Sequence, residues 1–207
     1  MTSDTTATTA NPPRDPRPAF FAAADQAVRL IGSVTRTDLA QPTPCAEFDV
    51  RTLTAHMVAV FRRIAHVGAG GNYADTETIA TGIPDDGLAA AAAEGRDAVV
   101  TTWSDDAVLD RLLTLPPGVH LPGRVGALRY TQEFVTHAWD LAAALGRQGE
   151  LDPSLAAPLV EMAQQFIPRD GHRPWPFGEV VDVPQHAGPY ERLVGWLGRD
   201  PSWRPPA

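Results

Sequence analysis

The sequence predicts an all-α protein built on a four-helix bundle. Its twenty prolines avoid three long stretches, residues 45–83, 85–115 and 123–152. Helices need such stretches because proline lacks the backbone N–H and clashes with the preceding turn. Apolar residues recur there at helical spacing, and no segment alternates convincingly as a half-buried strand would. Four long helical segments without strands indicate a helical bundle.

The first two predicted helices each carry one apolar face. The first spans about Pro18–Val34, and Asp49 is a natural N-cap for the second, which covers residues 50–68. Glycines end the second helix, and residues 68–84 are expected to form an irregular loop. The predicted apolar faces comprise Phe20, Phe21, Ala24, Val28, Ile31 and Val34 in the first helix, and Val50, Leu53, His56, Met57, Val60 and Ile64 in the second.

The other two long helices follow the remaining proline-free stretches. Asp85 or Asp86 is expected to cap the third helix, whose alanine run is a strong helix former. Gly146 is expected to stop the fourth. The expected elements are a helix over 87–103, a short helical segment over 104–113, a loop or small hairpin over 113–123, and a long helix over 124–145.

Both ends of the chain are expected to lie outside the bundle proper. Residues 152–167 could form a fifth helix, in which Pro158 must occupy the first turn or introduce a kink. A proline-rich segment should then drape over the bundle, and residues 190–200 close the chain as a short helix. We therefore divide the chain into a disordered tail, 1–16, and one bundle domain with a C-terminal extension, 17–207.

Composition excludes several classes of partner. Seventeen basic and twenty-five acidic residues give a net charge of −8, and the arginines are scattered. An acidic chain without a basic cluster is not expected to bind nucleic acid or an anionic membrane surface. The polar N-terminal residues lack the apolar core of a secretory signal, and the lone Cys45 cannot form an internal disulfide. The sequence thus predicts a cytoplasmic protein.

Three polar side chains fall on faces that should be buried. Glu133 and His137 are four residues apart on the fourth long helix and therefore neighbours on one face, while His56 lies on the apolar face of the second helix. Burying an unpaired carboxylate is costly, so Glu133 needs a partner. Either a protonated histidine or an arginine pairs with it in a structural polar cluster, or the three side chains bind a divalent metal. Two imidazoles and one carboxylate are the protein ligands of a catalytic zinc site with an open fourth position.

Other candidates carry less weight. Asp140, three residues after His137, could orient a ligand imidazole, or it could be a local or solvated acid. Cys45 lies in a turn and is expected to be inert, and His66 is about 80° away from the face of His56. Cations that could bind a carboxylate-bearing cosubstrate are Arg63 and Arg129.

Three segments together resemble the DinB-like metal-binding domains. The branch that they resemble is the actinobacterial one related to the N-terminal domain of mycothiol-dependent maleylpyruvate isomerase. Phe48 stands where that branch would have tryptophan. The segments are QPTPCAEFDVRTLTAHMV (41–58), EFVTHAWDLAAALGR (133–147) and PFGEVVDVPQHAGPYERLVGWLGRDPSW (176–203).

The resemblance implies a four-helix bundle whose divalent metal is held by His56, Glu133 and His137. Zinc is the first expectation, with Ni²⁺ or Fe²⁺ as alternatives. The resemblance also implies a thiol-S-transferase in which a metal-bound thiolate of mycothiol attacks a small electrophile. The isomerase's second, sterol-carrier-like domain has no counterpart in the sequence, so its maleylpyruvate activity is not carried over. A non-catalytic metal-binding or ligand-binding module and a metal-dependent hydrolase remain the alternatives.

Overall fold

The computed structural model describes residues 15–115, 118–173 and 177–205 of the chain. Residues 1–14 of the tail that the sequence predicts lie outside these ranges. The helices are α1 (Arg17–Ile31), α2 (Val50–Gly68), α3 (Leu88–Trp103), α4 (Asp106–Asp110), α5 (Gly123–Ala144), α6 (Pro153–Phe166) and α7 (Pro189–Trp196), and the strands are β1 (Leu112–Leu115) and β2 (Val119–Pro122).

Four long helices enclose the main core and confirm the predicted bundle. α1 and α2 each pack against both α3 and α5. Aromatic side chains from all four meet inside: the ring centroids of Phe61 and Phe134 are 4.6 Å apart, and those of Phe20 and Trp103 are 5.1 Å apart. The buried Trp103 indole donates a hydrogen bond to the Ile64 carbonyl over 3.0 Å, so its polar group is satisfied in the core.

The predicted helix ends are confirmed at some positions and wrong at others. Asp49 caps α2 as expected, with its carboxylate accepting from the Thr52 N–H over 2.7 Å. The expected cap of α3 by Asp85 or Asp86 is wrong, because those residues form a 3₁₀ turn and the helix begins after Gly87. Asp85 instead pairs with Arg51 on α2 at 2.6 Å. α1 ends at Ile31, three residues earlier than predicted, because the next turn tightens into i to i−3 hydrogen bonds.

A small hairpin leads into α5. β1 and β2 pair antiparallel, with Leu112 opposite Pro122 and Leu115 opposite Val119. The sequence allowed a loop or a hairpin here, and the hairpin is confirmed. Leu113 and Leu115 point into the core, so the hairpin supports the start of the helix that carries Glu133 and His137.

The C-terminal extension is attached to the bundle by buried polar contacts. α6 and α7 pack against each other, and Gln26 on α1 joins both. Its amide nitrogen donates to the Tyr190 hydroxyl over 2.7 Å, and its amide oxygen accepts from the Asp152 N–H over 2.7 Å. Farther along, the Arg173 guanidinium donates to three backbone carbonyls, those of Pro168, Gly178 and Trp196.

None of the described helices is long and apolar enough to cross a membrane.

Gly123 allows the start of α5 to lie directly against α4. A Cβ atom at this position would be 1.9 Å from the Val108 carbonyl oxygen, which is backbone and cannot rotate away. We expect Gly123→Ala to lower the free energy of unfolding by about 2 kcal/mol, as overpacking does in other cores. Urea denaturation measures the change. Gly149→Ala is the matched control, because its Cβ would meet no atom within 4 Å; equal stability of the two variants would contradict the steric argument.

Candidate metal centre

Two imidazoles, one from α2 and one from α5, converge on one carboxylate oxygen of Glu133. Nε2 of His56 lies 3.4 Å from Oε1 of Glu133, and Nε2 of His137 lies 3.6 Å from the same atom. The two imidazole centroids are 4.9 Å apart, with the rings inclined at 77°. One potential ligand atom from each residue lies within 4.8 Å of the others. The three residues that the sequence placed on two helices therefore form one cluster.

The second nitrogen of each imidazole is occupied by a hydrogen-bond acceptor. Nδ1 of His56 lies 2.7 Å from the Thr78 carbonyl oxygen, and Nδ1 of His137 lies 3.0 Å from Oδ2 of Asp140. A carbonyl and an ionised carboxylate can only accept, so each Nδ1 carries a hydrogen. In the neutral form of either ring, the lone pair is then on Nε2, the atom that faces Glu133.

A loop segment supplies the acceptor for His56. Arg63 on α2 holds this segment by donating to the Thr76 hydroxyl over 2.9 Å and to the Glu77 carbonyl over 2.8 Å. The Thr78 carbonyl is thereby fixed over His56. Arg63, one of the two cations considered for an anionic cosubstrate, thus binds the protein's own loop. The sequence gives no sign of the role of Thr78, because any residue type can present a backbone carbonyl.

Asp140 lies between His137 and an arginine from the C-terminal extension. Its carboxylate is fully buried and accepts two hydrogen bonds from Arg199, one from Nε over 2.7 Å and one from Nη2 over 2.9 Å. Burial raises the pKa of Asp140. The positive charge of Arg199 and the contact with His137 lower this pKa by a larger amount, so the net pKa lies below the ordinary 3.8. Asp140 is therefore an ionised acceptor. Sequence reasoning found Asp140 but missed Arg199, which is 59 residues away along the chain.

Glu133 is more exposed than the sequence predicted. Its side chain is 40% exposed, compared with 9% for His56 and 11% for His137. The expectation that the carboxylate is buried is therefore only partly confirmed: Oε1 faces the two buried imidazoles, but the side chain lies at the open edge of the cluster, where water reduces the cost of its charge. The two imidazoles form the closed side. The cluster can thus be reached from solvent beside Glu133.

The carboxylates on either side of His137 stabilise its charged form. Burial lowers the pKa of this imidazole, but Asp140 and Glu133 together raise it to about 9. Desolvation raises the pKa of Glu133, yet the adjacent His137 and His56 lower it well below its ordinary value. In the metal-free protein, the two carboxylates therefore favour the imidazolium form of His137, with Glu133 as its counter-ion. A metal ion would bind through the same Nε2 lone pair as this proton.

The remaining candidates lie outside this cluster. His66 is 3.8 Å from Asp75, near the end of α2. Burial and the nearby Asp140 charge raise the pKa of the Cys45 thiol, which therefore stays protonated at neutral pH, in line with the predicted inert role. Phe48 packs against His56 with 5.3 Å between ring centroids, so this position helps to enclose the imidazole.

The fold and the cluster define a helical bundle with two histidines and one carboxylate on facing helices. The family model described as the mycothiol maleylpyruvate isomerase N-terminal domain matches residues 20–142, and the chain belongs to this family. The match includes all three cluster residues and Asp140 but ends before Arg199.

Known proteins support the same relationship. Proteins from two strains of Mycobacterium tuberculosis, both named as uncharacterized, are 30% identical to the chain over 186 residues, which is 89% of this chain and 98% of each relative. The crystal structure of the mycothiol-dependent maleylpyruvate isomerase superposes with a TM-score of 0.55. The superposition covers 73% of this chain and 69% of the isomerase at 14% identity, so it supports the fold alone.

The buried pair of Asp140 and Arg199 should be strongly coupled in the metal-free protein. Removing one partner leaves the other charge buried without compensation, so Asp140→Asn and Arg199→Met should each lower the free energy of unfolding by roughly 3 kcal/mol. The double variant should lose clearly less than the sum of the two. Urea denaturation in the presence of a chelator measures all four proteins.

An exposed pair provides the matched control for this cycle. The side chains of Arg147 and Glu150 are 39% and 55% exposed and contact at 3.0 Å. The cycle of Arg147→Met and Glu150→Gln should give a coupling below about 1 kcal/mol. Additive losses at Asp140 and Arg199 would show that the buried contact contributes no more than the exposed one.

Proposed function

We propose that the protein binds one divalent metal through His56, Glu133 and His137 and uses it in a thiol-S-transfer reaction with mycothiol. The observation that carries the proposal is the approach of both Nε2 atoms to the same carboxylate oxygen, at 3.4 and 3.6 Å. A structural ion pair needs only one protonated imidazole. Here both rings are buried and both have Nδ1 engaged by an acceptor, which supports coordination over simple charge pairing.

The donor set suits zinc in kind, and the distances from the two imidazoles to Glu133 suit it in spacing. Zinc binds nitrogen and oxygen ligands at roughly 2.0–2.2 Å, so a tetrahedral ion requires ligand atoms about 3.3–3.6 Å apart. The two distances to Glu133 Oε1 fall in this range. Three protein ligands leave one position for water or substrate. Ni²⁺ and Fe²⁺ accept the same donor types, so metal analysis must identify the ion.

The residues around the cluster have distinct tasks in this proposal. The Thr78 carbonyl holds the tautomer of His56, and Asp140 holds that of His137, as acceptors behind ligand histidines do. Phe48 limits water access to His56. The exposed edge at Glu133 leaves a path for a small molecule. A divalent metal bound there would lower the pKa of a thiol and hold the thiolate in place.

Family membership supports mycothiol as the thiol. In the proposed reaction, the thiol sulfur forms a bond to an electrophilic carbon of the substrate, and the thiol proton is released to solvent. If the substrate carries a leaving group, that group departs with its bonding electron pair. Otherwise a π or ring bond at that carbon breaks, and its electron pair takes up a proton. The two alternatives are a hydrolase, in which water takes the place of the thiol, and a binding module without turnover.

The purified protein should contain one equivalent of divalent metal. His56→Ala, Glu133→Ala and His137→Ala should each lose it, because two remaining ligands hold a metal far more weakly than three. Elemental analysis after gel filtration measures the metal-to-protein ratio. His66→Ala is the control, since His66 lies on the same helix as His56 but outside the cluster, and it should keep the full equivalent. If wild-type protein that has been incubated with zinc contained no metal after gel filtration, the proposed site would be disproved.

Mycothiol and a small electrophile should give a conjugate only in the presence of the metal-loaded protein. Mass spectrometry should detect the sum of the two reactants, less any leaving group, and the signal should fall to background after chelation or in Glu133→Ala. Product formed without thiol would favour the hydrolase. Saturable binding of mycothiol without conjugation across a panel of electrophiles would favour the binding module.

A further inference from the structure

We propose that Arg199 is a positioning residue for His137, acting through Asp140, so that the C-terminal extension completes the metal centre. The proposal rests on the metal-binding function proposed above. It concerns a residue outside the part of the chain that the family model matches, residues 20–142. The relevant contacts run from the C-terminal end of the chain to the interior of α5.

The first link is the arrangement of two hydrogen bonds on one carboxylate. Arg199 Nε contacts Oδ1 of Asp140 at 2.7 Å, and Nη2 contacts Oδ2 at 2.9 Å. This fork fixes the plane of the carboxylate as well as its position. Oδ2 is also the atom that lies 3.0 Å from Nδ1 of His137. The guanidinium therefore sets where the acceptor for the imidazole lies.

The second link is the burial of the carboxylate. Asp140 is 0% exposed and the Arg199 side chain is 13% exposed, so water cannot replace the arginine without entering the core. Without a cation opposite it, the carboxylate would be desolvated and held by His137 alone. We expect it to rotate away from Nδ1 of His137, which would weaken the acceptor behind this imidazole.

The third link is the backbone that delivers Arg199 to α5. After α7 ends, Gly198 adopts a φ of +92°, and the Arg199 N–H donates to the Val194 carbonyl over 2.9 Å. A Cβ at Gly198 would lie 2.6–2.7 Å from the backbone of Gly178, so the proline-rich segment packs closely on this turn. The turn sends the Arg199 side chain back toward the bundle. The position of the extension and the orientation of His137 are therefore linked.

Metal affinity in matched arginine variants tests this link. Arg199→Met removes the fork, and Arg199→Lys keeps one cation but supplies a single point charge in place of two parallel donors. Arg173→Met is the control, because Arg173 binds the Pro168, Gly178 and Trp196 carbonyls in the same extension. Zinc affinity is measured by competition with a chromophoric chelator. The absorption bands of bound Co²⁺ report the ligand geometry, and circular dichroism checks that each variant is folded.

We expect Arg199→Met to weaken zinc binding by roughly tenfold and to shift the Co²⁺ bands, since partners behind ligand histidines typically contribute 10- to 100-fold in affinity. Arg199→Lys should lose less than Arg199→Met but should differ measurably from wild type, and it serves alone if the Met variant does not fold. Arg173→Met removes contacts within the extension but none to Asp140, so it should lose clearly less zinc affinity than Arg199→Met. Linkage also requires the reverse effect, so zinc should increase hydrogen-exchange protection of α7 in wild type and less so in the Arg199 variants.

Two results would overturn the inference. Wild-type zinc affinity and Co²⁺ bands in a folded Arg199 variant would show that the guanidinium does not position His137. An equal loss in Arg173→Met would show that only the general stability of the extension matters. Absence of zinc binding by wild type would instead remove the proposed function on which the inference rests, so the two failures can be told apart.

Discussion

The buried carboxylate of Asp140 is the group on which the cluster and the C-terminal extension both depend. A carboxylate removed from water persists as an anion only where charges and hydrogen bonds offset the lost hydration. Arg199 supplies a cation and two donors, and His137 supplies a third donor. These partners come from different parts of the chain. Movement of either one would leave the Asp140 carboxylate without part of its compensation and would so disturb its contact with the other.

The two interpretations of Glu133, His56 and His137 describe one arrangement in two states. In the metal-free protein, a proton on His137 pairs with Glu133, as in a structural polar cluster. A metal ion would replace that proton and use the same lone pairs. Proton pairing alone does not require a second buried imidazole with its Nδ1 held by the Thr78 carbonyl. That additional ordering is what coordination needs, and it favours the metal interpretation.

The sequence predicts the bundle well because its signals are local. Proline-free stretches and helical periodicity locate the long helices, and Asp49 marks the start of α2. The i, i+4 spacing of Glu133 and His137 places both on one face of α5. His56 was added because it lies on the apolar face of a second helix, and the resemblance to a family supported the same three residues. Spacing within one helix cannot show which other helix lies opposite.

Other features depend on contacts that the sequence does not encode locally. Glu133 is partly exposed because no neighbouring element covers this side of its side chain completely. Helical periodicity assigns only an approximate face and does not show how completely that face is covered. The Thr78 carbonyl is a backbone group with no residue preference, and Arg199 is one of many scattered arginines. A buried acid such as Asp140 implies some cation, but only the tertiary structure identifies it. Asp85 is a residue type that commonly caps helices, but its carboxylate here pairs with Arg51 on another helix.

Charge balance explains why an orienting arginine suits this position behind His137, a proposed metal ligand. Asp140 and Arg199 are oppositely charged and buried together, so the pair orients His137 without adding net charge to the cluster. Once the proton on His137 has left, both imidazoles are neutral and the cluster carries the single negative charge of Glu133, so that a bound dication would give a formal charge of +1. A net positive centre favours an anionic fourth ligand such as a thiolate or hydroxide. If Asp140 lacked Arg199, its uncompensated charge would cancel that preference, so the extension protects the electrostatic character of the site as well as its geometry.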